Sequence, residues 1–255
     1  MTDFATSKDG TRIAYESLGS GPGLVLVDGA LNSRAFGAAK DVAKALADSY
    51  TVYWYDRRGR GESGDTLPYA PAREIEDLAA VIAAAGGDAY VMGQSSGAAL
   101  ALEAAASGLS IRKLAVYEAP YVGQSTDFLA RQKQFIAEGD RKGAVDYFMT
   151  TMVGGPFFMP LVMRLMPKVF TELQAVAHTL PYDTELLDGF EVPARFATIT
   201  TPTLVMGGSK FKAPMKKAVH DVAGIVPDAK LVILDGQTHQ VSPAVLAPAL
   251  KEFFQ

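Results

Sequence analysis

Short runs rich in apolar and β-branched residues recur along the chain, and stretches of helical pattern separate them. Leu24 to Val27, Thr51 to Tyr55, Ala89 to Met92, Lys113 to Tyr117, Thr203 to Met206 and Leu231 to Leu234 read as strands. Leu24 to Val27 has no polar position, as befits a central parallel strand covered on both faces. Arg34 to Ala47, Pro71 to Ala85, Ala98 to Ala106, Met215 to Ala223 and Pro243 to Phe254 carry the helical pattern. Pro71 suits a first helical turn, where its missing N–H would have no partner in any case. Asp3 to Ser7 and Thr11 to Leu18 flank the turn signal Lys8-Asp9-Gly10 and predict an antiparallel hairpin. Together these runs predict an α/β fold, a mostly parallel eight-stranded sheet flanked by helices.

The rhythm breaks after the sixth strand. From Tyr121 to Val192 there is no β-rich run, only helical patterns broken at Gly154-Gly155-Pro156, Pro160, Pro167 and Pro181. A helical lid over residues 121–192 is therefore expected, inserted into a core formed by residues 1–120 and 193–255.

Composition narrows the function classes. A chain of 255 residues, 49% of them hydrophobic, fits one large domain with an inserted lid. The net charge is −4, and the densest basic run, Arg57-Arg58-Gly59-Arg60, is diluted by glycine and followed by Glu62 and Asp65, so no nucleic-acid partner is expected. The absence of cysteine excludes disulfides, thiolate zinc sites and thiol catalysis. No histidine and carboxylate cluster has metal-ligand spacing. Gly19-Ser20-Gly21-Pro22-Gly23 precedes a strand instead of opening a helix, so it is not a dinucleotide fingerprint. Asp56 to Ser63 lacks the residue order of a P-loop and reads as a turn with an internal Asp–Arg network. Neither metal nor cofactor is expected. Met1 to Gly10 has no apolar stretch, and no segment offers the roughly 20 apolar residues of a membrane span. A cytoplasmic protein without a membrane partner follows, and a homodimer is allowed.

Candidate chemistry centres on Gly93-Gln94-Ser95-Ser96-Gly97, between an apolar strand and an alanine-rich helix. In that context G-x-S-x-G forms a nucleophile elbow, with Ser95 presented on a sharp turn at the top of the sheet. The alternative is a serine N-cap in a glycine-rich turn. A serine hydroxyl needs a base, usually histidine, and a carboxylate to orient that base. Of three histidines, His178 falls in the lid and His220 within a helix. His239 follows the last strand in Asp235-Gly236-Gln237-Thr238-His239, a loop that opens on the same sheet edge as the elbow.

The elbow, the Asp56-Arg57-Arg58-Gly59-Arg60-Gly61-Glu62-Ser63 loop and Gly236-Gln237-Thr238-His239 resemble, in order and over nearly the whole chain, the α/β-hydrolase fold superfamily in its serine-nucleophile branch. That pattern usually places an acid after the seventh strand. Here the loop reads Gly207-Gly208-Ser209-Lys210, and no Asp or Glu lies between Val192 and His220. Glu118, at the end of the sixth strand, is the acid that some family members use, with Asp235 and Asp221 in reserve. Val27-Asp28-Gly29, Ser95-Ser96-Gly97-Ala98 and Glu118-Ala119-Pro120 are similar to motifs of zearalenone-opening lactonases. The resemblance implies an oxyanion hole formed by the N–H of Ser96 and of Gly29 or Ala30. Asp28 stands where family members often have histidine, and it is expected to turn away and bond loop amides.

The lid stretch is rich in methionine and phenylalanine, which suits an irregular apolar ligand. Leu31, Tyr121, Met152, Phe157, Phe158 and His178 are the candidate substrate contacts. The only tryptophan, Trp54, falls on a core strand, whereas zearalenone-opening relatives have a tryptophan in their lid. The function expected is hydrolysis of a small-molecule carboxylic ester or lactone through an acyl-enzyme. Lyase, carbon–carbon hydrolysis, perhydrolase chemistry or a receptor with vestigial turnover are the alternatives on the same fold.

Overall fold

The computed structural model describes residues 2–123 and 127–255. The opening hairpin forms as β1 (Asp3–Thr6) and β2 (Arg12–Gly19), antiparallel around the Lys8-Asp9-Gly10 turn. The apolar runs then supply β3 (Gly23–Val27), α1 (Ala39–Leu46), β4 (Thr51–Tyr55), α2 (Pro71–Ala84), β5 (Tyr90–Gln94), α3 (Ser96–Ala106) and β6 (Leu114–Tyr117). Among the described residues five α-helices follow, α4 (Phe128–Ala137), α5 (Arg141–Tyr147), α6 (Met159–Arg164), α7 (Pro167–Val176) and α8 (Leu180–Leu186). The chain closes with β7 (Thr203–Gly208), α9 (Ala213–Ile225), β8 (Lys230–Leu234) and α10 (Pro243–Phe254). The sheet has eight strands in the order β1-β2-β4-β3-β5-β6-β7-β8, parallel from β4 onward.

Side-chain alternation divides the sheet between two apolar layers. Val25, Val27, Val91, Val116 and Val205 pack on one face with α2, α3 and α9. Leu24, Leu26, Met92, Ala115 and Met206 pack on the other with α1 and α10. Both faces are covered, which is why these strands are apolar throughout. A third cluster of Ala144, Val145, Met163, Phe170, Leu173 and Leu180 is built within the helices between β6 and β7. Pro160, Pro167 and Pro181, read from sequence as breaks, sit in the first turns of α6, α7 and α8. Of the lid range 121–192, residues 124–126 lie outside the described residues, as does Met1. Among the described residues no helix is long and apolar enough to cross a membrane.

One element is shorter than its pattern predicts. The helix expected from Arg34 begins only at Ala39. The cause is non-local: Asp56, at the end of β4, accepts from both the backbone N–H and the Nε of Arg34, at 2.6 and 2.9 Å. Ser33 and Phe36 then pair across a tight loop.

The order of the strands reverses between β3 and β5. In open α/β sheets the carboxyl ends of the strands at such a point form the natural crevice for chemistry. Registers Val27↔Gly93, Gln94↔Tyr117 and Tyr117↔Met206 bring Asp28, Ser95 and Glu118 out along one edge.

Candidate active site

Ser95 joins β5 to α3 with φ 56° and ψ −127°, a backbone state that a non-glycine residue adopts only under constraint. Its N–H donates to the Tyr117 carbonyl at 2.9 Å, and its carbonyl accepts from Ala98 at 2.9 Å. A Cβ on Gly97 would collide with the carbonyl of Val27, so glycine is what lets α3 seat against β3. The Ser95 side chain makes no capping hydrogen bond to α3, so the hydroxyl is not used as an N-cap.

Glu118 continues directly from β6. It also has a positive φ, 47°, and only 1% of its surface is exposed. Its Oε1 accepts the Gly208 N–H at 2.9 Å, and its Oε2 lies 2.6 Å from His239 Nδ1. The end of β7, where the family pattern usually has its acid, thus donates its backbone N–H to the carboxylate from the next strand. A Cβ on Gly208 would run into the Gln237 carbonyl, so no carboxylate fits there. The histidine loop is tied down by its own backbone: Gln94 Nε2 donates to the His239 carbonyl at 3.0 Å, and the Tyr117 hydroxyl donates to the Thr238 carbonyl. With Nδ1–H engaged by Glu118, Nε2 of His239 is the nitrogen left to act as base. Among the described residues the Ser95 hydroxyl has no hydrogen-bonded partner, His239 included. The reserve acids lie elsewhere: Asp235 accepts from Ser209 at 3.1 Å, and Asp221 pairs with Lys217 along α9.

The β3–α1 loop passes close to the elbow. A Cβ on Gly29 would lie 2.9 Å from Ser95 Cβ and 3.4 Å from its Oγ. Ser96, the first residue of α3, is 2% exposed. Asp28 differs from expectation. Among the described residues no loop amide donates to its carboxylate; burial pushes its carboxyl up to about 6, and the Arg60 and Arg57 guanidiniums offset that only in part.

The six candidate substrate contacts sit in different surroundings. Leu31 is buried in the apolar cluster of α5 to α8. Tyr121 is buried with its ring 5.7 Å from Phe196, and burial, with Glu103 nearby, pushes its hydroxyl pKa well up. Met152 is partly buried, its sulfur 3.2 Å from Gln132 Nε2. Phe157 and Phe158 point outward, at 91% and 50% exposure. His178 stands 3.6 Å from Asp65, and burial lowers its pKa.

The arginine loop after β4 forms a buried charge network, but its carboxylates come from other elements. Arg57 forks onto Glu74 at 2.6 and 2.7 Å, and Arg58 onto Asp77 at 2.8 and 2.7 Å. Arg57 and Arg60 both reach Asp183 of α8, at 2.7 Å each. Three buried arginines signal buried acids, but nothing local marks Asp183 as one of them.

The model of the alpha/beta hydrolase family matches residues 21–250. A crystal structure of an alpha/beta hydrolase from Sphaerobacter thermophilus is 50% identical, with a TM-score of 0.92 over 99% of this chain and 100% of that one. A pimeloyl-[acyl-carrier protein] methyl ester esterase of Xanthomonas campestris is 28% identical over 87% of this chain and 89% of its own length. An enol-lactonase structure from Burkholderia xenovorans, 18% identical, shares the fold with a TM-score of 0.74 over 98% of this chain and 99% of that one.

Proposed function

The chain belongs to the alpha/beta hydrolase family, and on that premise we propose that it is a serine hydrolase of carboxylic esters or lactones. The observation that carries this reading is the 2.6 Å contact of Glu118 Oε2 with His239 Nδ1, on the sheet edge where Ser95 stands on its strained turn. In the proposed reaction His239 Nε2 removes the Ser95 proton as Oγ attacks the ester carbonyl. Glu118 holds the ring and offsets the imidazolium charge. The N–H groups of Ser96 and of Gly29 or Ala30 take the oxyanion. The imidazolium then protonates the leaving oxygen, and water, activated by the same histidine, releases the acid. In a lactone the leaving alcohol stays attached to the acyl chain.

The substrate class is supported by the Xanthomonas relative, whose name gives a methyl ester substrate, and by the motif likeness to lactonases. We assign the helices of residues 121–192 as the lid over this site, and an apolar acyl group as its ligand. The test is labelling with a fluorophosphonate and turnover of a short aryl ester. Rapid labelling at Ser95, loss of at least about a thousandfold in kcat in Ser95→Ala, and loss of roughly 10² to 10⁴ in Glu118→Gln with melting unchanged are expected. Full turnover in Glu118→Gln removes the acid assignment. Absence of labelling removes the hydrolase reading.

A further inference from the structure

Among the described residues the carboxylate of Asp183 makes three hydrogen bonds. Only 3% of the residue is exposed. Oδ1 accepts from the Ser96 hydroxyl at 2.7 Å and from Arg57 Nη1 at 2.7 Å, and Oδ2 accepts from Arg60 Nη2 at 2.7 Å. Burial works against its charge, but the two guanidiniums outweigh burial and hold the carboxyl below the usual range.

One arm of this network ends on the side chain of Ser96, next to Ser95, and the other on the backbone carbonyl of Gly29. Ser96 supplies one candidate oxyanion N–H, and Asp183 fixes its side chain. The second arm runs through Arg60, whose Nη1 donates to the Gly29 carbonyl at 2.6 Å while its Nε reaches Thr179 at 3.1 Å. That carbonyl shares a planar trans peptide with the Ala30 N–H, so the guanidinium on the oxygen sets the direction in which the N–H points. A cationic donor on the oxygen also polarises the peptide and makes its N–H a stronger donor. Arg57 Nη1 bonds the Ser96 hydroxyl at 3.0 Å and stands 3.4 Å from the Asp28 carbonyl, in the peptide that carries the Gly29 N–H.

We propose that Asp183, a residue of the helical insertion, is a positioning residue that aligns the two sides of the oxyanion hole, one through Ser96 and the other through Arg60 and the Gly29 carbonyl. The proposal rests on the serine-hydrolase reading above. Asp183 touches no reacting atom, and it acts by fixing peptide planes in place before charge develops on the substrate oxygen. The insertion that covers the site thereby also sets the geometry of its anion-binding donors.

The test uses the whole protein with a short aryl ester and a trifluoromethyl ketone that forms a hemiketal with serine. Asp183→Asn keeps the shape but loses the charge and one acceptor. Ser96→Ala cuts only the arm to the elbow and leaves Asp183 paired with both arginines, so it stays informative if Asp183→Asn folds poorly. Expected for each is a 10- to 100-fold fall in kcat, KM within threefold, and a matching 10- to 100-fold loss of affinity for the ketone. A role confined to holding the fold would lower the melting temperature and leave kcat and the ketone affinity unchanged per folded molecule, and that result overturns the proposal. If the unmutated protein neither turns over esters nor is labelled at Ser95, the underlying reading falls and takes the proposal with it. If the unmutated protein is active and Ser96→Ala keeps kcat within threefold, only the proposal falls.

Discussion

Asp28 carries the clearest single-residue consequence. Its carboxyl has an ordinary value of 3.8 when solvated and about 6 in the fold, where burial is the main cause. The folded state therefore binds this proton more tightly than the unfolded state. The stabilisation is complete below about pH 4 and is lost as pH rises through 6. Above pH 7 the group is charged, and among the described residues no hydrogen-bond donor offsets its burial. A shift of this size corresponds to at most about 3 kcal/mol, and partial exposure of the residue reduces that to about 2 kcal/mol. Asp28→Asn should therefore melt roughly 4–8 °C above the unmutated protein at pH 8 and together with it at pH 4. Thermal melts at the two pH values check this; an equal gain at both would mean that the carboxyl titrates normally.

At the scale of elements, the end of β7 shows how one strand makes room for its neighbour's side chain. Gly208 gives its N–H to Glu118 and lies against the backbone of the His239 loop. Gly208→Ala would press a methyl group on the Gln237 carbonyl and the Tyr117 hydroxyl. A loss of about 1–3 kcal/mol in stability is expected, with kcat falling because the histidine loop must move. Urea unfolding paired with ester kinetics measures both, and an unchanged midpoint would show that the loop yields without cost. Gly208→Asp should likewise fail to restore Glu118→Gln. The strands were legible from the chain because burial on both faces leaves few polar positions, and the contact of Glu118 with His239 was legible through the resemblance to family members that carry an acid after the sixth strand, the usual segment here holding none. The start of α1 was not, since the Asp56 that unwinds it lies 22 residues from Arg34. Asp183 was not legible either: a lone aspartate on a short helix reads as solvated surface, and its arginines are 123 and 126 residues away. The aromatic content of the insertion was plain in the sequence, but the direction of Phe157 and Phe158 depends on how α6 packs.

Across the whole molecule, the helices between β6 and β7 meet the loops after β3 and β5 through both charge and apolar contact. Leu31, on the loop beside Gly29, is 3% exposed and belongs to the same apolar cluster as Phe170, Leu173 and Leu180. Leu31→Ala should cost about 2–4 kcal/mol, and limited proteolysis should then cut first within residues 128–190. If cleavage stays even along the chain, the insertion does not depend on this anchor. The same scaffold holds Ser95 in its left-handed turn, where glycine would sit without strain. A thermostabilisation campaign scored by heat resistance alone would thus drift toward glycine at position 95, and with Ser95 as the proposed nucleophile its hardiest survivors would be inert.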